Sequence, residues 1–161
     1  MDASPGMIAE ARRVHPAMSF AVLDTPPTPA WPDESVDTVL LFAVLTCIPG
    51  DDAQTRPIGE LRRVLKPGGL LYLSDLLLQD DQHNRDRCAG FAEHHDTYGV
   101  FRTDDGAVCR HHSRDRLSSL LAGFDSRGTR YITVPTMNGH ESVAIQILAR
   151  KPTPHHHAPT H

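Results

Sequence analysis

Asp75 is the residue that most invites a chemical reading. It follows Leu70-Leu71-Tyr72-Leu73-Ser74 and precedes Leu76, Leu77 and Leu78. A carboxylate in such company is hydrogen-bonded, placed at a strand end, or shifted in pKa. Substrate contact, proton acceptance and capping of the following loop are all open to it. Histidine is abundant, at 11 residues. His94-His95, Cys109 and His111-His112 are residue types that bind zinc, but their spacing matches no finger or ribbon, so no metal site is assigned. One of His111 or His112, or Tyr98, at a substrate mouth would suit proton acceptance. Asp75 and His111 are therefore the candidate catalytic residues. Cys47 reads as a small buried hydrophobe rather than a nucleophile. Glu60, Arg62 and Arg63 read as the solvated side of a helix.

Composition narrows the partners. The chain has 161 residues with 16 Lys and Arg against 20 Asp and Glu, a net charge of −4. That balance gives no electrostatic case for nucleic acid or for an anionic membrane surface, so a small-molecule substrate is the expected partner once an activity is assigned. The apolar runs fall short of a membrane span, and the opening Met-Asp-Ala-Ser-Pro lacks the basic and apolar parts of a signal peptide. Three widely spaced cysteines make no disulfide framework, which suits a cytoplasmic setting.

The elements that must position these side chains alternate along the chain. Ser4-Pro5 opens a helix to about Val14, with a capping hydroxyl and a proline at the first helical position. Ser19 to Asp24 reads as a short strand, and the proline-rich stretch from Thr25 to Pro32 as loop. Asp37 to Leu45 is apolar enough for a parallel strand buried on both faces. Asp51 or Asp52 can cap the next helix, whose Ile58, Leu61, Val64 and Leu65 form an apolar stripe. Lys66-Pro67-Gly68-Gly69 ends it, and Leu70 to Leu77 is the next buried strand. The polar stretch from Gln79 to His112 holds a short helix around Asn84 to His95 and a hairpin turning at Asp105-Gly106. Ser113 caps a last helix facing inward through Leu117, Leu120, Leu121 and Phe124. Thr129 to Val134 and Ser142 to Ala149 are joined too tightly for a parallel crossover, so the last strand should be antiparallel. The chain is thus an α/β open, mostly parallel sheet ending in an antiparallel hairpin. Residues 1–150 form the domain, and 151–161, rich in histidine and proline, read as a disordered tail.

Four blocks in order carry a family resemblance: Asp2-Ala3-Ser4-Pro5-Gly6-Met7, Phe20 to Asp24, Pro32-Asp33-Glu34-Ser35-Val36-Asp37, and Glu60-Leu61-Arg62-Arg63-Val64-Leu65-Lys66-Pro67-Gly68-Gly69. Over about half of its length the chain resembles class I S-adenosylmethionine-dependent methyltransferases, whose fold is Rossmann-like. The family's first strand and glycine-rich turn would precede Asp2, and no Gly-x-Gly occurs in the sequence, so the domain reads as N-terminally truncated. The family's strand order, 3-2-1-4-5-7-6, would leave strands 4, 5, 7 and 6 contiguous without it. The Ser19–Asp24 strand would then slide against Asp37–Leu45 or stay detached.

The resemblance implies in-line methyl transfer from S-adenosylmethionine, in which the protein positions and desolvates. It places Asp2 at the ribose hydroxyls and Met7 beside the adenosine. Asp24 would meet the adenine amino group, with Thr25 lending backbone contacts. Phe42 and Ala43, at a strand's carboxyl end, would present a carbonyl to the cofactor's ammonium. Plainer roles stand beside these: a frayed terminus for Asp2, helix packing for Met7, a cap for Asp24. For the 161 residues alone the expected cofactor affinity is weak or absent. An alternative is an inactive remnant that associates, with itself or a partner, through exposed strand edges.

Overall fold

The computed structural model describes residues 1–23, 31–136 and 139–154. The chain divides into two compact units, Met1–Trp31 and Pro32–His161.

In the first unit, helix α1 spans Pro5–Val14, with Ser4 Oγ accepting the Met7 N–H and Pro5 inside the first turn. Ile8 is its buried residue. The expected strand at Ser19–Asp24 is reduced to one parallel bridge between Asp2 and Val22. Asp2 N donates to Ala21 O at 3.2 Å, and Leu23 N donates to Asp2 O at 2.9 Å. Asp2 is therefore tied down by its backbone rather than frayed. Arg12 adds a bond to Phe20 O at 2.8 Å.

The second unit is built on a four-stranded sheet. Strand β1 (Val36–Phe42) leads through a short 3-10 turn, Leu45–Cys47, into helix α2 (Asp51–Val64) and strand β2 (Leu65–Leu76). Helix α3 (Gln82–Phe91), the ribbon β3 (Val100–Arg102) and β4 (Val108–Arg110), helix α4 (Arg114–Leu120), and strands β5 (Asp125–Pro135) and β6 (Glu141–Arg150) follow. The sheet order is β1-β2-β6-β5. β1 and β2 are parallel, with Leu41 opposite Leu73, and β6 runs antiparallel to both of its neighbours, β2 and β5. Three of the four strands thus share a direction, and the last strand in the chain is the reversed one. This is the contiguous 4-5-7-6 half of the expected strand order.

One face of the sheet carries the core. Leu71 and Leu73 of β2, with Ile145, Ile147 and Ala149 of β6, pack with Ile58 and Leu61 of α2 and with Leu117 and Leu121 after Ser113. The period of two along the strands and of three to four along the helices is what brings these residues together. β2 alternates buried and half-buried positions. β1 departs from the expectation of burial on both faces: Leu41 is buried, but Leu40 is 61% and Phe42 52% exposed. Their side chains lie opposite to Leu41 across the pleat, away from the helices that cover the core.

Local signals were overridden twice. Gly50, not Asp51 or Asp52, is the N-cap of α2; the two aspartates sit in its first turn, where they complement the helix dipole. Lys66-Pro67-Gly68-Gly69 lies inside β2 rather than ending a helix. Gly68 N donates to Lys151 O, and Lys151 N to Gly69 O, both at 2.9 Å. Lys151 also donates through Nζ to Leu65 O and Glu34, so it is paired structure, while residues 155–161 lie outside the described residues. No helix among the described residues is long and apolar enough to cross a membrane.

Leu73 has no exposed surface and sits in the middle of this core. Leu73→Ala is expected to cost about 2–5 kcal/mol of stability, read from the midpoint of urea unfolding at unchanged m-value.

Candidate functional site

Parallel pairing places the carboxyl ends of β1 and β2 side by side, Phe42 opposite Ser74. At the end of β1, Ala43 takes φ of +50°. A left-handed conformation costs a residue with a β-carbon roughly 1–2 kcal/mol, and such positions gather where a backbone is held for a purpose. Ala43 N donates to Ser74 O at 2.8 Å, and the chain then leaves the sheet for the turn at Leu45–Cys47. Cys47 is exposed, contrary to expectation, with Sγ 3.5 Å from Ala43 O. Phe42 meets Tyr72 edge to face, ring centroids 5.7 Å apart.

Asp75 stands behind this turn. It is 2% exposed. One carboxylate oxygen accepts the Thr46 N–H at 3.2 Å, the other its neighbour Leu76 N–H at 2.8 Å. His112 Nδ1 lies 3.6 Å from Asp75 Oδ1, with both side chains fully enclosed. His112 Nε2 is 2.7 Å from Gln54 Nε2. The same amide nitrogen donates to Ile48 O at 2.8 Å and Leu45 O at 3.3 Å, and Gln54 Oε1 accepts from Arg116 Nε at 3.2 Å. Thr46 Oγ1 donates to Arg110 O. Arg110 and Arg116 both reach Asp51, at 2.6 and 3.3 Å. The hydrogen bond from Arg110 holds the Asp51 carboxyl below the usual carboxylate range. A buried polar cluster thus ties the turn after β1 to α2, β2, β4 and α4.

His111 belongs to a second cluster. Its Nδ1 is 3.0 Å from Arg87 Nη2, and its ring meets Phe101 edge to face. Arg87 also lies over the Phe101 ring at 3.6 Å and donates to Asn84, whose N–H is capped by Asp81 at the start of α3. Burial first, then the Arg87 charge, push the His111 imidazole down to about 3. It is a neutral acceptor for Arg87 at physiological pH. Gly99, with φ of +98°, lets the ribbon approach: a β-carbon there would stand 2.6 Å from His111 O.

The expected residues fall into three places. In the second unit, Phe42, Ala43 and Asp75 converge on one turn, while His111 points to Arg87 and its neighbour His112 faces Asp75. In the first unit, Asp2 Oδ1 accepts the Ser4 N–H at 2.7 Å, and Met7 is 63% exposed, so it does not pack within its helix. Asp24 and Thr25 lie outside the described residues. Gln54 was missed by sequence reasoning. Its signal is position: Gln54, Ile58 and Leu61 share the inward stripe of α2, and a glutamine on such a stripe must find buried partners. Tyr98 is exposed.

Comparison with known proteins places this geometry. The family model described as a methyltransferase domain matches residues 1–73. An S-adenosylmethionine-dependent methyltransferase from Methanosarcina mazei superposes with a TM-score of 0.82 at 23% identity, over 94% of this chain and 80% of that one. The first 73 residues are thus similar to a methyltransferase domain, and the fold is that of S-adenosylmethionine-dependent methyltransferases of class I. The cyclase SpnF has a similar structure, with a TM-score of 0.65 at 18% identity over 94% and 64% of the two chains. So does a 1,6-didemethyltoxoflavin-N1-methyltransferase from Burkholderia thailandensis, solved with 1,6-didemethyltoxoflavin and S-adenosylhomocysteine, with a TM-score of 0.61 at 17% identity over 92% and 57%. The chain therefore spans between 57% and 80% of the length of these three. No curated protein matches its sequence.

The depressed His111 value has a measurable consequence. Below its unfolded value of 6.5 the unfolded chain takes up a proton at His111 that the folded chain refuses until about 3. Stability from this residue is therefore present above about pH 6.5 and falls with pH, by about 2 kcal/mol between pH 6.5 and 5. Urea unfolding at the two pH values should show this slope, and His111→Asn should flatten it.

Proposed function

We propose that this chain transfers a methyl group from S-adenosylmethionine to a small-molecule acceptor by direct in-line displacement. The observation that carries the reading is the turn after β1, in which a left-handed Ala43 swings the chain out of the sheet at the carboxyl edge, where open α/β sheets bind ligands. The residue types present fit the cofactor. Asp2, exposed and with one carboxylate oxygen accepting the Ser4 N–H, suits a pair of ribose hydroxyls. The exposed Met7 offers an apolar surface to the adenosine. Asp24 and Thr25 are assigned to the adenine, and the backbone of Phe42 and Ala43 to the ammonium of the methionine part.

The bound cofactor supplies an electrophilic methyl group and its own leaving group. The protein's contribution is alignment and exclusion of water, for which positioning alone can be worth about 7–11 kcal/mol. Asp75 and His111 are 2% and 3% exposed, and their polar atoms face protein groups. In this reading they brace the site, and the acceptor's proton leaves to solvent. The net charge of −4 supports a small acceptor over a polyanion. The chain's place is assigned to the cytoplasm, in keeping with three widely spaced cysteines that make no disulfide framework.

Calorimetric titration with S-adenosylhomocysteine tests the proposal, on this chain and on a form extended upstream. Binding is expected in at least one form, and Asp2→Ala should weaken it at least tenfold, the worth of a hydrogen bond to a charged group. Failure of both forms to bind would overturn the reading.

A further inference from the structure

The amide of Gln54 has a fixed orientation. Arg116 Nε carries a proton that it can only donate, and it sits 3.2 Å from Gln54 Oε1. The Gln54 NH2 group must then face His112 Nε2, 2.7 Å away. Two N–H donors cannot face each other at that distance, so His112 Nε2 presents its lone pair. A neutral ring with Nε2 bare carries its proton on Nδ1, the nitrogen that looks toward Asp75 Oδ1 across 3.6 Å, just beyond hydrogen-bond length, and makes no hydrogen bond.

The turn after β1 hangs on the two flanking groups. With one Gln54 N–H turned to His112, the other is shared by the carbonyls of Ile48, at 2.8 Å, and Leu45, at 3.3 Å, and Asp75 holds the Thr46 N–H between them. Gln54, His112 and Asp75 are 0%, 1% and 2% exposed, so water does not replace a lost bond cheaply.

We infer that His112 is a positioning residue: as the Nδ1–H imidazole it joins Gln54 to Asp75 and latches the turn from Ala43 to Ile48, and a proton on Nε2 opens that latch. The protonated ring would aim an N–H at the Gln54 NH2. The amide must then turn, and it releases Ile48 O and Leu45 O or gives up Arg116. The charges around the ring come from every side: Asp75 on β2 and Asp51 on α2 favour the proton, while Arg110 on β4 and Arg116 on α4 oppose it, and His111 adjoins it in the chain. The inference rests on the reading of this turn as part of the cofactor site for its consequence, but not for its geometry. If both hold, protonating His112 weakens the binding of S-adenosylhomocysteine.

Long-range proton–nitrogen correlation spectra of the histidine rings in the whole chain read the tautomer directly, with no substitution and no cofactor. The expected result is the Nδ1–H pattern for His112 at neutral pH. An Nε2–H pattern, or an imidazolium there, overturns the inference. Gln54→Glu replaces the donor by an acceptor, so His112 should become charged at the same pH, with amide exchange at Thr46 about tenfold faster. Unchanged exchange in a charged, folded Gln54→Glu overturns the latch. Failure of S-adenosylhomocysteine to bind either this chain or the extended form, with the tautomer and exchange as expected, overturns the function reading alone.

Discussion

A carboxylate buried among leucines must be solvated by protein, and the second unit is arranged around meeting that demand. Asp75 lies where β2 leaves the sheet, and its partners come from groups far apart in the chain: Thr46 after β1 and His112 after the β3–β4 ribbon. Each partner would otherwise be a costly buried polar group itself. Bringing them together fixes the turn after β1, the start of α4 and the approach of the ribbon. The arrangement is all or nothing, since removing one member leaves another unpaired in a dry site.

Helix α2 links that cluster to the core. Ile58 and Leu61 fill the space against β2 and β6, while Gln54, a turn earlier on the same stripe, reaches His112 and the turn after β1. The apolar packing sets where the helix lies, and the polar contact uses that placement. Asp51 in its first turn then draws in Arg110 and Arg116.

Much of the fold was legible in the sequence because its signals were local. Ser4 and Ser113 cap helices as their types suggest, and Gly106, with φ of +89°, makes the turn marked by Asp105-Gly106. The Lys-Pro-Gly-Gly segment was misjudged because its role is set by Lys151, more than 80 residues away. The site was harder to read. His111 and His112 are neighbours in extended backbone, so they point in opposite directions, and nothing local says which faces Asp75. The composition of the α2 stripe likewise hid Gln54, since a search for apolar spacing passes over a lone amide. Exposure of Leu40 and Phe42 was invisible for a different reason: an apolar strand reads the same whether one or both of its faces are covered.

The order of the strands in space differs from their order in time. β6, the last to be synthesised, lies between β2 and β5 and hydrogen-bonds to both. Until Arg150 has left the ribosome, neither neighbour has the partner that joins them, and β5 has no place in the sheet at all. A chain without β6 would leave the backbone N–H and C=O groups along one edge of β2 facing an empty lane, so the sheet is whole only with the last of these strands in place.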